Sequence, residues 1–187
     1  MSNNIRCEDE EQNTSSYSSS YSYAHSVPLM GAATIAFGPI GGIPLTDPSN
    51  KQKRTKRDWS SSAPVWRTAA RGLSLEAHCY NSSCQAYNGG YVLVKWGYRD
   101  FDFFRNDRDV NCPMCGRHVQ TENFGFYNTY YKVVGSKKDT PNGYFQEVDS
   151  GWEYAPTQHY TTFLDSPDDL VYWGQLQIKV SSYKPSY

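Results

Sequence analysis

Asn111-Cys112-Pro113-Met114-Cys115-Gly116 sets two thiols three positions apart and follows them with a glycine. Cys79-Tyr80-Asn81-Ser82-Ser83-Cys84 sets two more five positions apart, with 27 residues between the pairs. Two closely spaced cysteines wrap one side of a metal ion, and soft thiolates suit zinc in tetrahedral coordination. Gly116 permits the tight turn that points backbone amides at the sulfurs. The pattern predicts one structural Zn2+ held by Cys79, Cys84, Cys112 and Cys115. His78 and His118 lie close enough in sequence to replace a cysteine. A rubredoxin-type iron site and four ordinary buried cysteines are the other readings of the same residues. A four-ligand zinc contributes on the order of 10 kcal/mol of apparent binding energy, which matters to a small domain with long polar loops.

On either side of the cysteines the texture is β. Tyr91-Val92-Leu93-Val94-Lys95-Trp96 is a β-rich run ended by Gly97, and Phe126–Val134 is dense in aromatic and β-branched residues. Asn142-Gly143 followed by Tyr144-Phe145-Gln146-Glu147-Val148 is a hairpin signal. In the last run Leu176, Ile178 and Val180 alternate with Gln175, Gln177 and Lys179, as one buried and one wet face require. No segment after residue 75 has a helical period of useful length. The expectation is a mostly β fold: a small antiparallel β domain with a zinc-ribbon-like four-cysteine site, spanning 67–182. Residues 183–187 are then a C-terminal tail.

Residues 1–66 read as a disordered N-terminal tail. Thr14–Ser26 is a Ser/Tyr low-complexity run that cannot bury a core. Val27–Leu45 carries no charge, but Pro28, Pro39, Pro44 and four glycines would break a membrane helix, so no membrane partner is expected. The run Lys51, Lys53, Arg54, Lys56 and Arg57 puts five cations in seven residues. It reads as a nuclear-import signal, a nucleic-acid patch or a solvated linker. From Thr68 onward there are 11 Lys plus Arg against 13 Asp plus Glu, so the domain itself is slightly acidic and is no polyanion binder by bulk charge. The polar, acidic first residues do not resemble a secretory leader. An intracellular location, cytoplasmic or nuclear, follows, and paired cysteines there point to metal rather than disulfides.

Several chemistries do not fit. A RING finger needs eight ligands. A zinc deaminase needs an open coordination position and a His-x-Glu or Cys-x-Glu motif. No phosphate-binding glycine loop, Gly-x-Ser-x-Gly or His-Glu-x-x-His occurs. His159 with Asp165, Asp168 and Asp169 offers acid-base groups, but Asp165-Ser166-Pro167-Asp168-Asp169 is more simply a surface turn. No catalytic residue is assigned.

Gly72-Leu73-Ser74-Leu75 ahead of the first cysteine pair, Trp96-Gly97-Tyr98-x-x-Phe101-Asp102, Cys112-Pro113-Met114-Cys115, Phe124-Gly125-Phe126-Tyr127-Asn128 and a closing strand at Trp173–Val180 together carry a resemblance. From about Gly72 to Val180 the chain resembles a family of eukaryotic zinc-ribbon-like domains from amoebae, fungi and others. Members of that family often occur beside ubiquitin-like domains, which implies a role near ubiquitin signalling. Relatives often carry cysteines flanking the Gly-Phe-x-Asn segment. Here those places hold Phe124 and Thr129, which implies no second metal or redox pair.

The function expected is a zinc-stabilised protein-interaction module without catalytic activity. Its partner would be another protein, met through exposed aromatics such as Tyr127, Tyr130, Trp152 and Trp173. The alternative is a nuclear nucleic-acid-associated protein anchored through residues 51–57.

Overall fold

A computed structural model describes residues 4–8 and 41–186. Its strands, in chain order, are β1 (Arg6–Cys7), β2 (Ile43–Leu45), β3 (Arg54–Arg57), β4 (Thr68–Ala69), β5 (Gly72–His78), β6 (Tyr91–Gly97) and β7 (Phe101–Asp102). A single helical turn, α1 (Phe103–Asn106), follows, capped by the Asp102 side chain, which accepts from the Phe104 amide at 3.1 Å. Then come β8 (Asn123–Tyr127), β9 (Thr129–Lys138), β10 (Gln146–Asp149), β11 (Glu153–Ala155), β12 (Tyr160–Phe163) and β13 (Val171–Ser181). The fold is mostly β with antiparallel main sheets, as the alternating patterns predict. Among the described residues no helix is long and apolar enough to cross a membrane.

A five-stranded sheet runs β3-β12-β8-β5-β6. A six-stranded sheet runs β10-β9-β13-β2, with β11 beside β9 and β7 beside β13. Leu73, Leu75 and Phe126 from the first share one buried apolar cluster with Tyr131, Leu176 and Ile178 from the second, so the two sheets enclose the main core. Phe126 stacks flat on Tyr131 at 3.9 Å between centroids, joining the layers. The chain passes from one sheet to the other at Asn128, whose φ of +46° is the left-handed conformation that asparagine tolerates best among residues with side chains.

β13 shows why simple alternation is an incomplete guide. Trp173 and Leu176 are both buried although three positions apart. The pairing with β9 shifts register between Trp173 and Gln175, and this bulge reverses the inward phase. Asn142-Gly143 lies in the turn joining β9 to β10, where the Gly143 amide donates to the Thr140 carbonyl at 3.0 Å.

The structure starts the folded body earlier than residue 67. β2 pairs with the beginning of β13, and the indole of Trp173 donates to the Thr46 carbonyl at 3.0 Å. β3 pairs with all four residues of β12. Ile5 and Cys7 close a second, smaller buried cluster with Ala69, Leu93, Tyr127 and Tyr160, on the outer face of the five-stranded sheet. These segments look like tail because β2 sits among prolines and glycines and β3 is wholly polar. Their strand state comes from partners more than a hundred residues away. The low-complexity run Thr14–Ser26 lies outside the described residues.

Candidate metal centre

The two cysteine pairs converge where β5 ends. Cys79 directly follows β5, and Cys84 sits in a turn closed by its amide donating to the Asn81 carbonyl at 2.8 Å. The second pair occupies a hairpin in which the Cys112 amide donates to the Arg117 carbonyl at 2.8 Å and the Gly116 amide to the Cys112 carbonyl at 2.9 Å. Gly116 has φ of +69°, the left-handed turn its position requires.

The four sulfurs lie within 4.8 Å of one another. Cys79 and Cys115 Sγ are 3.7 Å apart and Cys84 and Cys112 Sγ 3.9 Å. A tetrahedron with metal–sulfur bonds of about 2.3 Å has edges of about 3.8 Å. Disulfide bonds, at about 2.05 Å, are far shorter, and all four cysteines are free thiols. The spacing is therefore that of a four-thiolate metal site. Neither histidine joins it: His78 Nδ1 engages Glu122 at 2.9 Å, and His118 Nδ1 lies 3.0 Å from the Val110 carbonyl oxygen.

The thiols differ in acidity. Burial pushes Cys79 up to about 12 and raises Cys112 as well. The Asn81 side chain and the Arg117 backbone draw Cys115 down to about 6. The Ala86 amide approaches Cys84 Sγ at 3.4 Å, the kind of backbone contact that steadies a bound thiolate. A divalent cation would displace the protons that burial retains on Cys79 and Cys112. With four sulfurs as ligands and three of the cysteines buried, such a site has no position left for a reacting water.

A second polar constellation was not legible as a site in the sequence. Glu76 is 1 % exposed on the outer face of β5, and its carboxyl oxygens have no hydrogen bond of full geometry. The Thr162 and Tyr160 hydroxyls lie beside it, and Arg57 supplies an opposing charge. Burial pushes this carboxyl up to about 6, against the pull of Arg57. Burial likewise lowers Arg67 and raises Tyr160 well above the usual phenol range. Tyr160 reaches this niche by lying over Gly125, where an added Cβ would stand 1.8 Å from the phenol oxygen. The only sequence signal is one carboxylate inside the apolar run Leu73–Ala77.

The expected binding aromatics fall into two groups. Tyr127 and Trp173 are buried, 4 % and 0 % exposed, because each lies on a sheet face covered by other elements; they are core residues, a correction to the expected binding face. Tyr130 and Trp152 are half-buried. The large exposed aromatics near them are Tyr154 and Tyr98, with Tyr144 at the hairpin tip.

The basic run is no free linker. Lys51–Lys53 is a 3-10 turn leading into β3. Lys51 pairs with Glu153, Arg54 with the same carboxylate at 3.2 Å, and Lys53 with Asp169 at 3.7 Å. Arg57 faces the buried Glu76, and Lys56 remains exposed. His159, considered for acid-base work, is lowered by burial and by Lys56.

No model of a known protein family matches this chain, and no curated protein or solved structure matches it either.

Proposed function

We propose that the chain is a non-catalytic recognition module, stapled at one end by a structural Zn2+ and acting by binding another protein. The observation that carries this reading is the four-sulfur cluster with near-tetrahedral edges. Zinc is the ion favoured because four thiolates in a closed tetrahedron suit its borderline-soft, geometry-indifferent chemistry. The site is closed, so the metal would stabilise rather than react. Exposed Tyr154 on β11, and Tyr144 and Phe145 at the β9–β10 turn, are the kind of surface residues that anchor partners. The resemblance to zinc-ribbon-like domains found beside ubiquitin-like domains is the ground for placing the partner near ubiquitin signalling. Nucleic-acid association through residues 51–57 gains less support, because three of the five cations are committed to carboxylates in the fold.

The test is metal content by mass spectrometry on the purified full chain, paired with thermal melting before and after a strong chelator. One zinc per chain and loss of the transition on chelation is the expected result. No bound metal with unchanged melting would return the cysteines to redox chemistry or simple packing.

A further inference from the structure

The outer face of the six-stranded sheet carries an arrangement that neither the metal nor the core explains. Tyr131 and Val133 point into the core, so Tyr130, Lys132 and Val134 face outward, opposite Ser181, Lys179 and Gln177 of β13. Tyr130 and Tyr154 are cross-strand neighbours with ring centroids 4.8 Å apart. The Tyr154 hydroxyl donates to Asn128 Oδ1 at 3.3 Å and the Tyr98 hydroxyl to the Asn128 carbonyl at 3.1 Å. Two phenols are thus anchored by their tips on one left-handed residue, while Tyr98 and Tyr154 stay 41 % and 46 % exposed.

Next to this platform, β7, α1 and β13 enclose a groove of about 310 Å3, lined by Asp100, Asp102, Arg105, Asn106, Gln177 and Lys179 together with Phe101. That volume falls at the lower end of the range for small-ligand sites. The charges here cancel in pairs. Asp100 meets Lys179 at 3.3 Å, Asp102 meets Arg105 at 3.5 Å, and on the adjoining strands Asp149 meets Lys132 at 2.7 Å. The Gln177 amide also donates to Asp102 at 3.2 Å.

The pairing selects the occupant. A nucleic acid or an acidic peptide finds no net field to attract it. An apolar helix would take these ion pairs out of water and offer their remaining donors and acceptors no new hydrogen bonds. A ligand presenting apolar C–H faces and many hydroxyls satisfies both parts of the surface, since carboxylate, amide and ammonium groups each offer further donors or acceptors. We infer that this face binds a neutral oligosaccharide, its sugar rings stacked on Tyr130 and Tyr154 and its hydroxyls bonded in the groove between β7 and β13. The tip anchoring of Tyr154 on Asn128, with Tyr130 packed against its ring, holds the platform in place beforehand and limits the ordering cost of binding. The site is separate from the metal centre and stands whether or not the protein also engages a protein partner.

The test is native affinity electrophoresis of the full zinc-loaded chain in gels containing laminarin, hydroxyethylcellulose, xylan or galactomannan, with heparin as the charged control. The expected result is retardation by at least one neutral polymer and none by heparin. Tyr130→Ala and Gln177→Ala should each weaken that retardation roughly tenfold. Gln177 is exposed, so its variant keeps the fold and decides the matter if Tyr130→Ala melts early. Retardation by none of the neutral polymers, retardation by heparin alone, or retardation unchanged in folded Gln177→Ala overturns the proposal. Metal content and melting, read on the same preparations, report separately on the zinc site.

Discussion

Two buried polar clusters sit along the same strand, and they resolve their polarity in different ways. At the exit of β5, four sulfurs converge with no cationic side chain among them, so the charge that would balance their thiolates has to come from a metal ion. In the middle of β5, Glu76 converges with Tyr160 and Thr162 and faces Arg57, so its counter-charge is already part of the chain. The first cluster can take a cation in exchange for its protons. The second resists its own ionisation, and its carboxyl keeps a proton to about pH 6. Burial raises the cost of charge in both places, and the outcome depends on whether an external ion can enter.

Breaking the metal cluster should have the largest effect. Cys112→Ala leaves three sulfurs around a cation, and the share of a binding energy on the order of 10 kcal/mol that is lost should abolish a cooperative melt. Circular dichroism melting with zinc in excess reads this directly. A sharp, unshifted transition would mean that the cluster contributes packing alone.

The next effect belongs to Gly125→Ala. Its methyl would collide with the Tyr160 ring that fills the niche beside Glu76. Overpacking of this kind costs about 1–3 kcal/mol, read as a lower denaturation midpoint at unchanged slope.

Glu76→Gln separates the two clusters by sign. The folded value of about 6 lies above the ordinary 4.5, so the folded state holds this proton more tightly than the unfolded one. The contribution of this group to stability is therefore greatest below pH 4.5 and declines as pH rises through the window from 4.5 to 6. The penalty levels off near 2 kcal/mol, in order of magnitude. Urea melts between about pH 4 and pH 8 should show Glu76→Gln gaining on the parent as pH rises, with the parent's slope in that window flattened. A constant difference across the range would show that Glu76 ionises as freely folded as unfolded.

The smallest effect is expected at the edge strand. Arg54→Gln removes one half of the pairing at Glu153, and partly exposed ion pairs contribute about 0.2–1 kcal/mol. Added salt should shrink even that difference, since screening acts on exposed charges.

The legible parts of the molecule are those whose information is local. Two close cysteine pairs and Gly116 specify a turn and a ligand set within a few residues. The alternation Leu176, Ile178, Val180 specifies a half-buried strand wherever its partner lies. What escapes a reading of the sequence depends on distance. Arg54–Arg57 is polar on every side and becomes a strand because β12 supplies the ladder and Glu153 the counter-charge. Trp173 resembles a surface anchor until its face of the sheet is closed into the main core. Glu76 is an ordinary surface carboxylate by type, and only the overlying N-terminal strand, Trp59 and Tyr160 bury its face of the sheet.

The β character and the convergence of four thiols were written into the chain, because strand periodicity and ligand spacing act over a few residues. Where the fold begins, which aromatics are exposed and which charges are spent emerge only once the chain has closed on itself. Those properties depend on which faces of distant strands meet, and a single bulge or a crossing segment reverses them without changing any local pattern.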